Sequence, residues 1–285
     1  AIYPLGLTGV PIFNVTNSCA TGSTALFLAR QAILSGQAEC ALAVGFDQMA
    51  PGPILMAYGD RPAPLGRHLE KLAAAGGQTD GAYLPEFYGY AGKEYQKRYG
   101  AAPETFAQIA VKARRHAAHN PKALFRTPIT LEEVMAAPPI TYPLTLPMCT
   151  EAFARRHGLT PRVEIVGQAL ETDHDDVFDT GSMLALIGPK MAAAAAKKAY
   201  EQAGWGPRDA QVVELHDCFT VNELVMYEAL GFAREGEAEK LVRDEDNTYG
   251  GAWVMNPSGG LLSKGHPLGA TGLAQCFELV EQLRG

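Results

Sequence analysis

The sequence lacks the glycine-containing motifs that mark the common nucleotide-binding and hydrolase sites. It has no Gly-x-Gly-x-x-Gly fingerprint, no Gly-x-Ser-x-Gly nucleophile motif and no Gly-Lys-Ser/Thr phosphate loop. The first motif favours dinucleotide binding, the second serine hydrolysis and the third hydrolysis of a nucleoside triphosphate. Their absence argues against these three classes of protein.

The chain is also poor in positive charge. Its 24 Lys and Arg residues are outnumbered by 31 Asp and Glu residues, so the formal net charge is −7 over 285 residues. A surface that follows the phosphates of a nucleic acid is therefore not expected. Because 47% of the residues are hydrophobic and the 30 glycines follow no fixed period, we expect a soluble globular protein of one large or two medium domains.

The chain has few cysteines, and none of them form a closely spaced pair in the sequence. The chain contains no Cys-x-x-Cys pair, and its five cysteines are Cys19, Cys40, Cys149, Cys218 and Cys276. An odd number in a chain of this length does not indicate a disulfide framework, so we expect a reducing compartment and no secretion. Residues 1–29 carry no charge, but prolines and asparagines interrupt them, which suits neither a membrane span nor a signal peptide. A chain that starts in its core also predicts a natural N-terminus upstream of Ala1.

The hydrophobic pattern predicts an α/β protein. At the start of the chain it predicts a strand, a helix and a second strand with a parallel sheet implied, at Pro11–Thr16, Ala20–Ser35 and Glu39–Gly45. After residue 161 it predicts two strands and two helices, at Val163–Ala169, Pro189–Ala203, Gln211–Leu215 and Gly269–Leu283. Between these parts the chain is rich in proline, tyrosine and charge, with helical patterns at Glu86–Tyr99 and Pro103–His119. This middle part reads as an inserted lid region.

Cys19 lies at the predicted junction of the first strand and its helix. A thiol there sits among free backbone N–H groups at the positive end of the helix dipole, which favours the thiolate. Lowering a thiol pKa from about 8.5 to about 7 takes roughly 2 kcal/mol, more than an exposed helix end usually supplies. The sequence therefore predicts a reactive cysteine that needs a nearby base.

His266 lies between Gly265 and Pro267, in a segment with little side-chain bulk other than the imidazole. Such a histidine is presented beside room for a ligand rather than packed in a core. The segment Ala270-Thr271-Gly272 that follows it repeats Ala20-Thr21-Gly22, which follows Cys19. The repeat predicts a duplicated α/β unit in which two helix N-termini face one site.

His216 and Cys218 follow the predicted strand Gln211–Leu215, where open α/β sheets place their ligands. Alternation along a strand points both side chains to one face and Asp217 to the other. No second cluster near them in sequence supplies further metal ligands, so no metal site is predicted. A satisfied structural histidine remains an alternative reading of His216.

Three motifs in order resemble the thiolase superfamily, and within it the branch of the sterol carrier protein X thiolase domain. They are Asn17-Ser18-Cys19-Ala20-Thr21-Gly22, His216-Asp217-Cys218-Phe219, and residues 256–272 from Asn-Pro-Ser-Gly-Gly to Gly-His-Pro-Leu-Gly-Ala-Thr-Gly. The second motif marks this branch, because ordinary thiolases carry Asn-Glu-Ala-Phe there. The similarity extends over the whole chain.

The resemblance implies a thiolase-like fold of duplicated α/β units in a layered αβαβα arrangement with an inserted loop domain. Residues 1–49 would belong to the N-terminal half and 50–145 to the insertion. Residues 146–160 would close the N-terminal half and 161–285 would form the C-terminal half without its last strands. Family elements before residue 1, near Thr150 and after Gly285 are not in this sequence, so we expect a partial chain.

The resemblance also implies roles for individual residues. Cys19 would accept the acyl group, His266 would activate its thiol, His216 would help hold the thioester oxygen, and Cys218 would be the second acid/base. Substrate or CoA contacts are expected from Ser258, Gly259, Gly260, Lys112 and Arg115. No permanently bound cofactor is implied, since coenzyme A is a substrate or product.

The implied activity is 3-ketoacyl-CoA thiolysis or the reverse Claisen condensation, in fatty-acid or sterol side-chain degradation. The implied partners are acyl-CoA, CoA and a second copy of the chain in a homodimer, with an accessory OB-fold subunit or a fused lipid-carrier domain as further partners. The location would be cytoplasmic in a bacterium and peroxisomal in a eukaryote. Two alternatives stay open: a thiolase-fold retro-aldol lyase acting on steroid side-chain CoA esters, and a non-catalytic acyl-CoA or lipid-binding module.

Overall fold

The computed structural model describes residues 6, 8–47, 60–77, 79, 83–134, 146–149, 151–158 and 163–285. The described α-helices are α1 Thr21–Leu34, α2 Gly66–Ala74, α3 Tyr83–Tyr99, α4 Pro103–Ala117, α5 Leu131–Val134, α6 Glu151–Arg156, α7 Met183–Leu186, α8 Pro189–Ala203, α9 Thr220–Ala229, α10 Ala238–Arg243, α11 Gly260–Lys264 and α12 Thr271–Arg284. Within these ranges no helix has both the length and the apolar character needed to cross a membrane.

Two short sheets accompany the helices in the described residues. Strand β1 (Cys40–Ala43) pairs antiparallel with β2 (Leu146–Cys149), and β3 (Val212–Val213) pairs parallel with β4 (Val254–Met255). The prediction of strands at β1 and β3 is confirmed. The parallel sheet predicted around β1 is wrong, because its described neighbour runs in the opposite direction.

Two predicted strands do not form. Residues 11–16 and 163–169 make no backbone–backbone hydrogen bond to any other described residue. A strand exists only where a second backbone lies alongside it, and apolar or β-branched side chains do not supply that neighbour. Instead, Gly167 lies against α8, where an added Cβ would be 2.3 Å from the carbonyl oxygen of Ala199.

The predicted helices all form, with ends set by their local signals. Helix α8 begins after Gly188 and ends before Gly204, and both glycines have the left-handed conformation that suits a helix boundary. Pro189 occupies the first turn, where its missing N–H costs nothing. Helix α3 begins three residues before the predicted start, and α4 begins at Pro103 as predicted.

The main core joins the middle of the chain to its C-terminal part. Phe87 and Tyr95 from α3 and Ile109 from α4 are buried with Leu224 and Tyr227 from α9. Apolar burial on this scale is the main stabilising term of a fold. The helices of the predicted insertion therefore lie within the principal core and support α9, which begins directly after the His216–Phe219 motif. The domain boundaries stay predictions.

Candidate active site

A sharp turn presents Cys19 at the start of α1. Ser18 has a φ of 45°, a left-handed conformation that is rare for a residue with a side chain and is found most often at functional sites. The Thr21 hydroxyl donates to the Ser18 carbonyl at 2.7 Å and accepts from the Asn17 amide at 2.7 Å. The Thr21 hydroxyl, bonded to the backbone of Asn17 and Ser18, therefore holds the strained turn that carries Cys19.

The N-terminal ends of α1 and α12 pack directly against each other. A Cβ added at Gly272 would lie 2.0 Å from Oγ of Ser23, and one added at Gly22 would lie 3.1 Å from the carbonyl oxygen of Gly269. Only glycine allows this approach. The sequence repeat around Cys19 and His266 thus corresponds to two helix starts that meet at one site, as predicted.

Cys19, His216 and His266 come together although they lie far apart in the chain. The Sγ atom of Cys19 and one ring nitrogen from each histidine lie within 4.8 Å of one another. The two imidazole rings meet edge to face, with centroids 4.9 Å apart and an interplanar angle of 82°. The thiol and the two imidazole rings are close enough that small side-chain rotations would bring their atoms into contact.

The tautomer of His266 follows from its hydrogen bonds. Thr271 Oγ1 lies 2.8 Å from the Pro267 carbonyl oxygen, to which it donates, and 2.7 Å from Nδ1 of His266. With its only proton used, the hydroxyl accepts from His266, so Nδ1 carries the ring proton. The opposite nitrogen, Nε2, is buried and has no hydrogen-bond partner among the described residues. Its lone pair is available to take a proton.

Burial sets the resting protonation of the cluster. Desolvation lowers the pKa of His266 to about 3, with His216 and Lys264 adding to the effect, and lowers the pKa of His216 to about 4. Burial also raises the pKa of the Cys19 thiol, and the charge of Asp47 raises it further. Desolvation outweighs the backbone hydrogen bond that lowers the Cys19 pKa, so the helix end alone does not give a resting thiolate, and activation by a nearby base stays a prediction. At neutral pH the cluster contains a thiol beside two neutral imidazoles.

Cys218 lies near this cluster, and sequence reasoning missed its partner. The Tyr88 hydroxyl forms a hydrogen bond with the Cys218 thiol, and the Tyr88 ring stacks on Phe219 with centroids 4.6 Å apart. Burial raises the pKa of Cys218 to about 12, while the bond from Tyr88 lowers it. The Cys218 thiol is therefore protonated at rest, because its pKa lies well above neutral pH. The only sequence signal for Tyr88 was its place in an aromatic run beside two glycines, residues 87–92.

Asp217 points away from the cluster, as predicted. Its carboxylate accepts from the backbone N–H of Leu261 at 2.7 Å and from that of Leu262 at 3.4 Å, at the start of α11. Burial raises its pKa, with a further contribution from Glu223. The motif lies in a turn after β3, where the Asp217 amide donates to the Leu215 carbonyl, rather than on the strand itself. The hydrogen bonds between Asp217 and the start of α11 fix the direction of the Asp217 side chain more than strand alternation does.

Residues 258–260, predicted to contact CoA, lie in a buried turn. The Ser258 hydroxyl donates to Glu214 at 2.8 Å, and its backbone N–H donates to the same carboxylate at 2.9 Å. A Cβ at Gly259 would lie 2.4 Å from that of Ala117, and one at Gly260 would lie 2.0 Å from Asp217. Protein atoms fill the space where side chains at Gly259 and Gly260 would lie, and the predicted contact of residues 258–260 with CoA stays a prediction.

Lys112, predicted to contact substrate or CoA, lies in the core. Its side chain is 4% exposed, and its ammonium pairs with the buried carboxylate of Glu223 and donates to Tyr227 Oη at 3.2 Å. Buried charges persist in proteins only when paired in this way. The ammonium faces the core and not a surface that a CoA phosphate can reach.

Arg115 reaches the surface beside a buried histidine. Its guanidinium donates to Thr248 Oγ1 at 2.9 Å and lies 3.4 Å from Glu245, while 48% of its side chain stays exposed. Thr248 in turn lies 2.7 Å from Nε2 of His116, whose Nδ1 donates to the Asn256 carbonyl at 3.0 Å. His116 is fully buried. The predicted contact of Arg115 with CoA stays a prediction.

Family models match both ends of the chain. A model described as "Thiolase, N-terminal domain" matches residues 1–136, and one described as "Thiolase C-terminal domain-like" matches residues 172–285. The chain is 48% identical to "Sterol carrier protein 2" of Homo sapiens over 300 residues, covering 100% of this chain and 55% of that protein. The chain thus spans about half the length of that relative.

A shorter relative and a solved structure agree with the family models. The chain is 34% identical to "Benzoylsuccinyl-CoA thiolase subunit BbsB" of Thauera aromatica, covering 98% of this chain and 73% of that protein. The structure of an "Ltp2-ChsH2(DUF35) aldolase" is similar with a TM-score of 0.75 and 26% identity, covering 99% of this chain and 75% of that chain. The fold predicted from the motifs is confirmed: the chain belongs to the thiolase family.

Proposed function

We propose that this chain carries the active site of a CoA-dependent thiolase that works through an acyl-cysteine. The observation that supports it most is the cluster of Cys19 Sγ with ring nitrogens of His216 and His266 within 4.8 Å. An acyl transfer through cysteine needs a nucleophile, a base within reach and a group that orients the base. Cys19, His266 and Thr271 meet these three needs in order.

The first half-reaction forms the acyl-enzyme. The Cys19 thiol gives its proton to Nε2 of His266, and the thiolate attacks the keto carbon of a 3-ketoacyl-CoA. The bond between the keto carbon and the adjacent carbon then breaks, leaving the acyl group on Cys19 and the enolate of an acetyl-CoA. A neutral imidazole with a free lone pair suits the first step.

His216 and His266 then hold the developing oxyanion. Negative charge collects on the thioester oxygen of the enolate, and ring N–H donors beside it stabilise that charge more strongly in a dry site than in water. The base that accepted the Cys19 proton is at this point a cation, which increases its attraction for the oxyanion. The Nε2 atom of His266 is itself buried, although both histidines as whole residues are half-buried.

Cys218 supplies the proton that the leaving carbon needs. Its thiol is protonated at rest and lies near Cys19, whose charge raises the Cys218 pKa. Protonation of the enolate carbon releases acetyl-CoA and leaves a Cys218 thiolate, which takes the proton of the incoming CoA thiol. The CoA sulfur then takes the acyl group from Cys19, and the leaving Cys19 thiolate recovers its proton from His266. The reverse sequence is a Claisen condensation, in which the Cys218 thiolate removes the proton from the same carbon.

The substrate class follows from relatives with CoA thioesters in their names, such as BbsB of Thauera aromatica. We place fatty-acyl or sterol side-chain CoA esters first, because the chain is 48% identical to human "Sterol carrier protein 2". A role in lipid degradation, in a peroxisome of a eukaryote or in the cytoplasm of a bacterium, belongs to the same proposal.

A homodimer is part of the same proposal. The segment before the nucleophile exposes large apolar side chains, with Phe13 80% and Ile12 44% exposed, and Phe46 beyond β1 is 65% exposed. Large exposed apolar side chains that form a patch mark an interaction surface. A second copy of the chain would cover it and would place the two nucleophile turns side by side.

Acylation of Cys19 is the direct test. Incubation with acetyl-CoA, followed by digestion and mass spectrometry, is expected to show a mass gain of one acetyl group on the peptide containing Cys19. The Cys276→Ala protein should acylate equally, because Cys276 packs beside Leu26 and Leu273 away from the cluster. Acetylation of another cysteine with Cys19 unmodified would refute the proposal.

A retro-aldol lyase is the second candidate. It is favoured by the similarity to the Ltp2-ChsH2(DUF35) aldolase, whose name includes a second component that would correspond to an accessory OB-fold subunit. A retro-aldol cleavage requires no acyl-cysteine. Release of an aldehyde or ketone from a 3-hydroxyacyl-CoA by the Cys19→Ala protein would favour the lyase, whereas strict dependence on CoA and Cys19 favours the thiolase.

A further inference from the structure

The side chains of the proposed catalytic cluster also form a set of metal-ligand donors. We propose that Cys19, His216 and His266 bind a single Zn²⁺ ion and that the ion inhibits the site by occupying the nucleophile and its base. Their ligating atoms, one sulfur and two imidazole nitrogens, already lie within 4.8 Å of one another. Sequence reasoning found no metal site because it considered His216 and Cys218 without the residues that the fold brings beside them.

The geometry is close to that of a tetrahedral zinc site. Zinc binds cysteine sulfur at about 2.3 Å and histidine nitrogen at about 2.0 Å, which at tetrahedral angles sets the ligands roughly 3.5 Å apart. Closing from the present separation takes movements of about 1 Å, within reach of side-chain rotation without backbone change. Three protein ligands leave a fourth position for water.

The ligands are prepared for a metal in two further respects. Nε2 of His266 is buried and without a hydrogen-bond partner in the described residues, so coordination would satisfy an otherwise unpaired polar atom. Thr271 accepts from Nδ1 of the same ring at 2.7 Å, which is the outer contact that orients histidine ligands in zinc sites. On binding, the Cys19 thiol loses its proton to the buffer and the thiolate bonds to zinc.

The donor set favours zinc over magnesium and calcium. Thiolate and imidazole are borderline or soft ligands, whereas magnesium and calcium select carboxylate, carbonyl and water oxygens. The described cluster contains no carboxylate ligand. Occupation would block acylation because the same sulfur lone pair and the same Nε2 bind the metal.

The test uses the whole chain after treatment with a chelator and measures binding without any substrate. Zinc sulfate is titrated against a chromophoric chelator, and alkylation of Cys19 by iodoacetamide is followed by mass spectrometry. We expect one Zn²⁺ per chain and protection of Cys19 by zinc but not by magnesium. Cobalt(II) in place of zinc should give a near-ultraviolet thiolate-to-metal band that Cys19→Ser removes.

Two variants separate a metal site from general cysteine binding. Thr271→Val should weaken zinc binding by about 10- to 100-fold, the usual loss when an outer contact of a ligating histidine is removed. Cys276→Ser should bind zinc like the parent chain. Unprotected Cys19 in the parent chain at saturating zinc, or equal affinity in Cys19→Ser, would overturn the proposal. Acetyl-CoA labelling without zinc tests the catalytic proposal separately, so the two failures are distinguishable.

Discussion

Thr271 fixes the tautomer of His266. The hydroxyl donates a hydrogen bond to the Pro267 carbonyl at 2.8 Å and accepts one from His266 Nδ1 at 2.7 Å, so the ring proton is on Nδ1 and the lone pair is on Nε2. Thr271 is also the second residue of the Ala-Thr-Gly repeat that opens α12. Its counterpart in α1, Thr21, holds the turn at Cys19 through the Ser18 carbonyl. One residue type therefore holds the Cys19 turn in one unit and the His266 ring in the other.

We predict that Thr271→Val lowers the rate of Cys19 acylation about tenfold. Valine keeps the shape but not the acceptor, a neutral hydrogen bond contributes about 1 to 1.5 kcal/mol, and 1.36 kcal/mol corresponds to a factor of ten in rate. Thr271→Ser keeps the acceptor and should restore most of the rate. Acylation measured by rapid quench and mass spectrometry checks both. Equal rates in the valine and serine proteins would contradict a role in orienting the base.

Cys218→Ala should separate the two halves of the reaction. Acylation of Cys19 by acyl-CoA should stay largely intact, while carbon–carbon cleavage should fall by roughly 10² to 10⁴, the usual loss for a general acid or base. Turnover and thermal stability are measured side by side, with Cys276→Ala as the control for loss of a packed thiol. Normal turnover in a destabilised Cys218→Ala protein would refute the role.

Tyr88→Phe should weaken the same step without abolishing it. The hydroxyl bonds to the Cys218 thiol and lowers its pKa, so its removal should slow carbon–carbon cleavage about tenfold through loss of one hydrogen bond. The ring still stacks on Phe219, so the fold should be retained. Tyr90→Phe, on the same helix, is the control. A drop of the same size in the Tyr90→Phe protein would mean that the effect is structural.

Lys112→Met should destabilise the protein by about 3 to 5 kcal/mol, because it leaves the buried carboxylate of Glu223 without its cation. The double change Lys112→Met with Glu223→Gln should cost less than the sum of the single changes, since the amide removes the unpaired charge and still accepts from Tyr227. Urea denaturation followed by circular dichroism measures both. Additive losses would indicate that the two charges do not interact.

His116 should make stability depend on pH. Burial lowers its pKa to about 4, below the value of about 6.5 in the unfolded chain. Between these values the unfolded state binds more protons, so the free energy of unfolding is highest above pH 6.5 and falls as the pH drops towards 4. The expected loss is up to about 3 kcal/mol, at 1.36 kcal/mol for each pKa unit. Urea titrations of the parent and His116→Gln proteins check this: the variant should show a shallower decline over that range, and an identical slope would contradict it.

Several features of the fold and site could be predicted from the sequence because their causes are local. Helix α8 is bounded by Gly188 and Gly204, and both boundaries depend only on the conformations available to glycine and proline nearby. The Ala-Thr-Gly repeat likewise predicted that α1 and α12 begin at the functional turns. Strands were predicted less well, because residues 11–16 carry the right side chains but have no backbone neighbour in the described part of the chain.

The sequence by itself determined the helices, the two turns that carry Cys19 and His266, and the resemblance of its motifs to thiolases. Only the tertiary structure decided which polar residues lie at the site and which are buried in the core. Lys112 and Ser258 look like surface or ligand contacts in sequence, yet Glu223 and Glu214 from distant segments pair with them in the interior. The resting charge of Cys19, His216 and His266 was also decided there, because a pKa depends on how much water and which charges surround a group, and that is set by segments far apart in the chain.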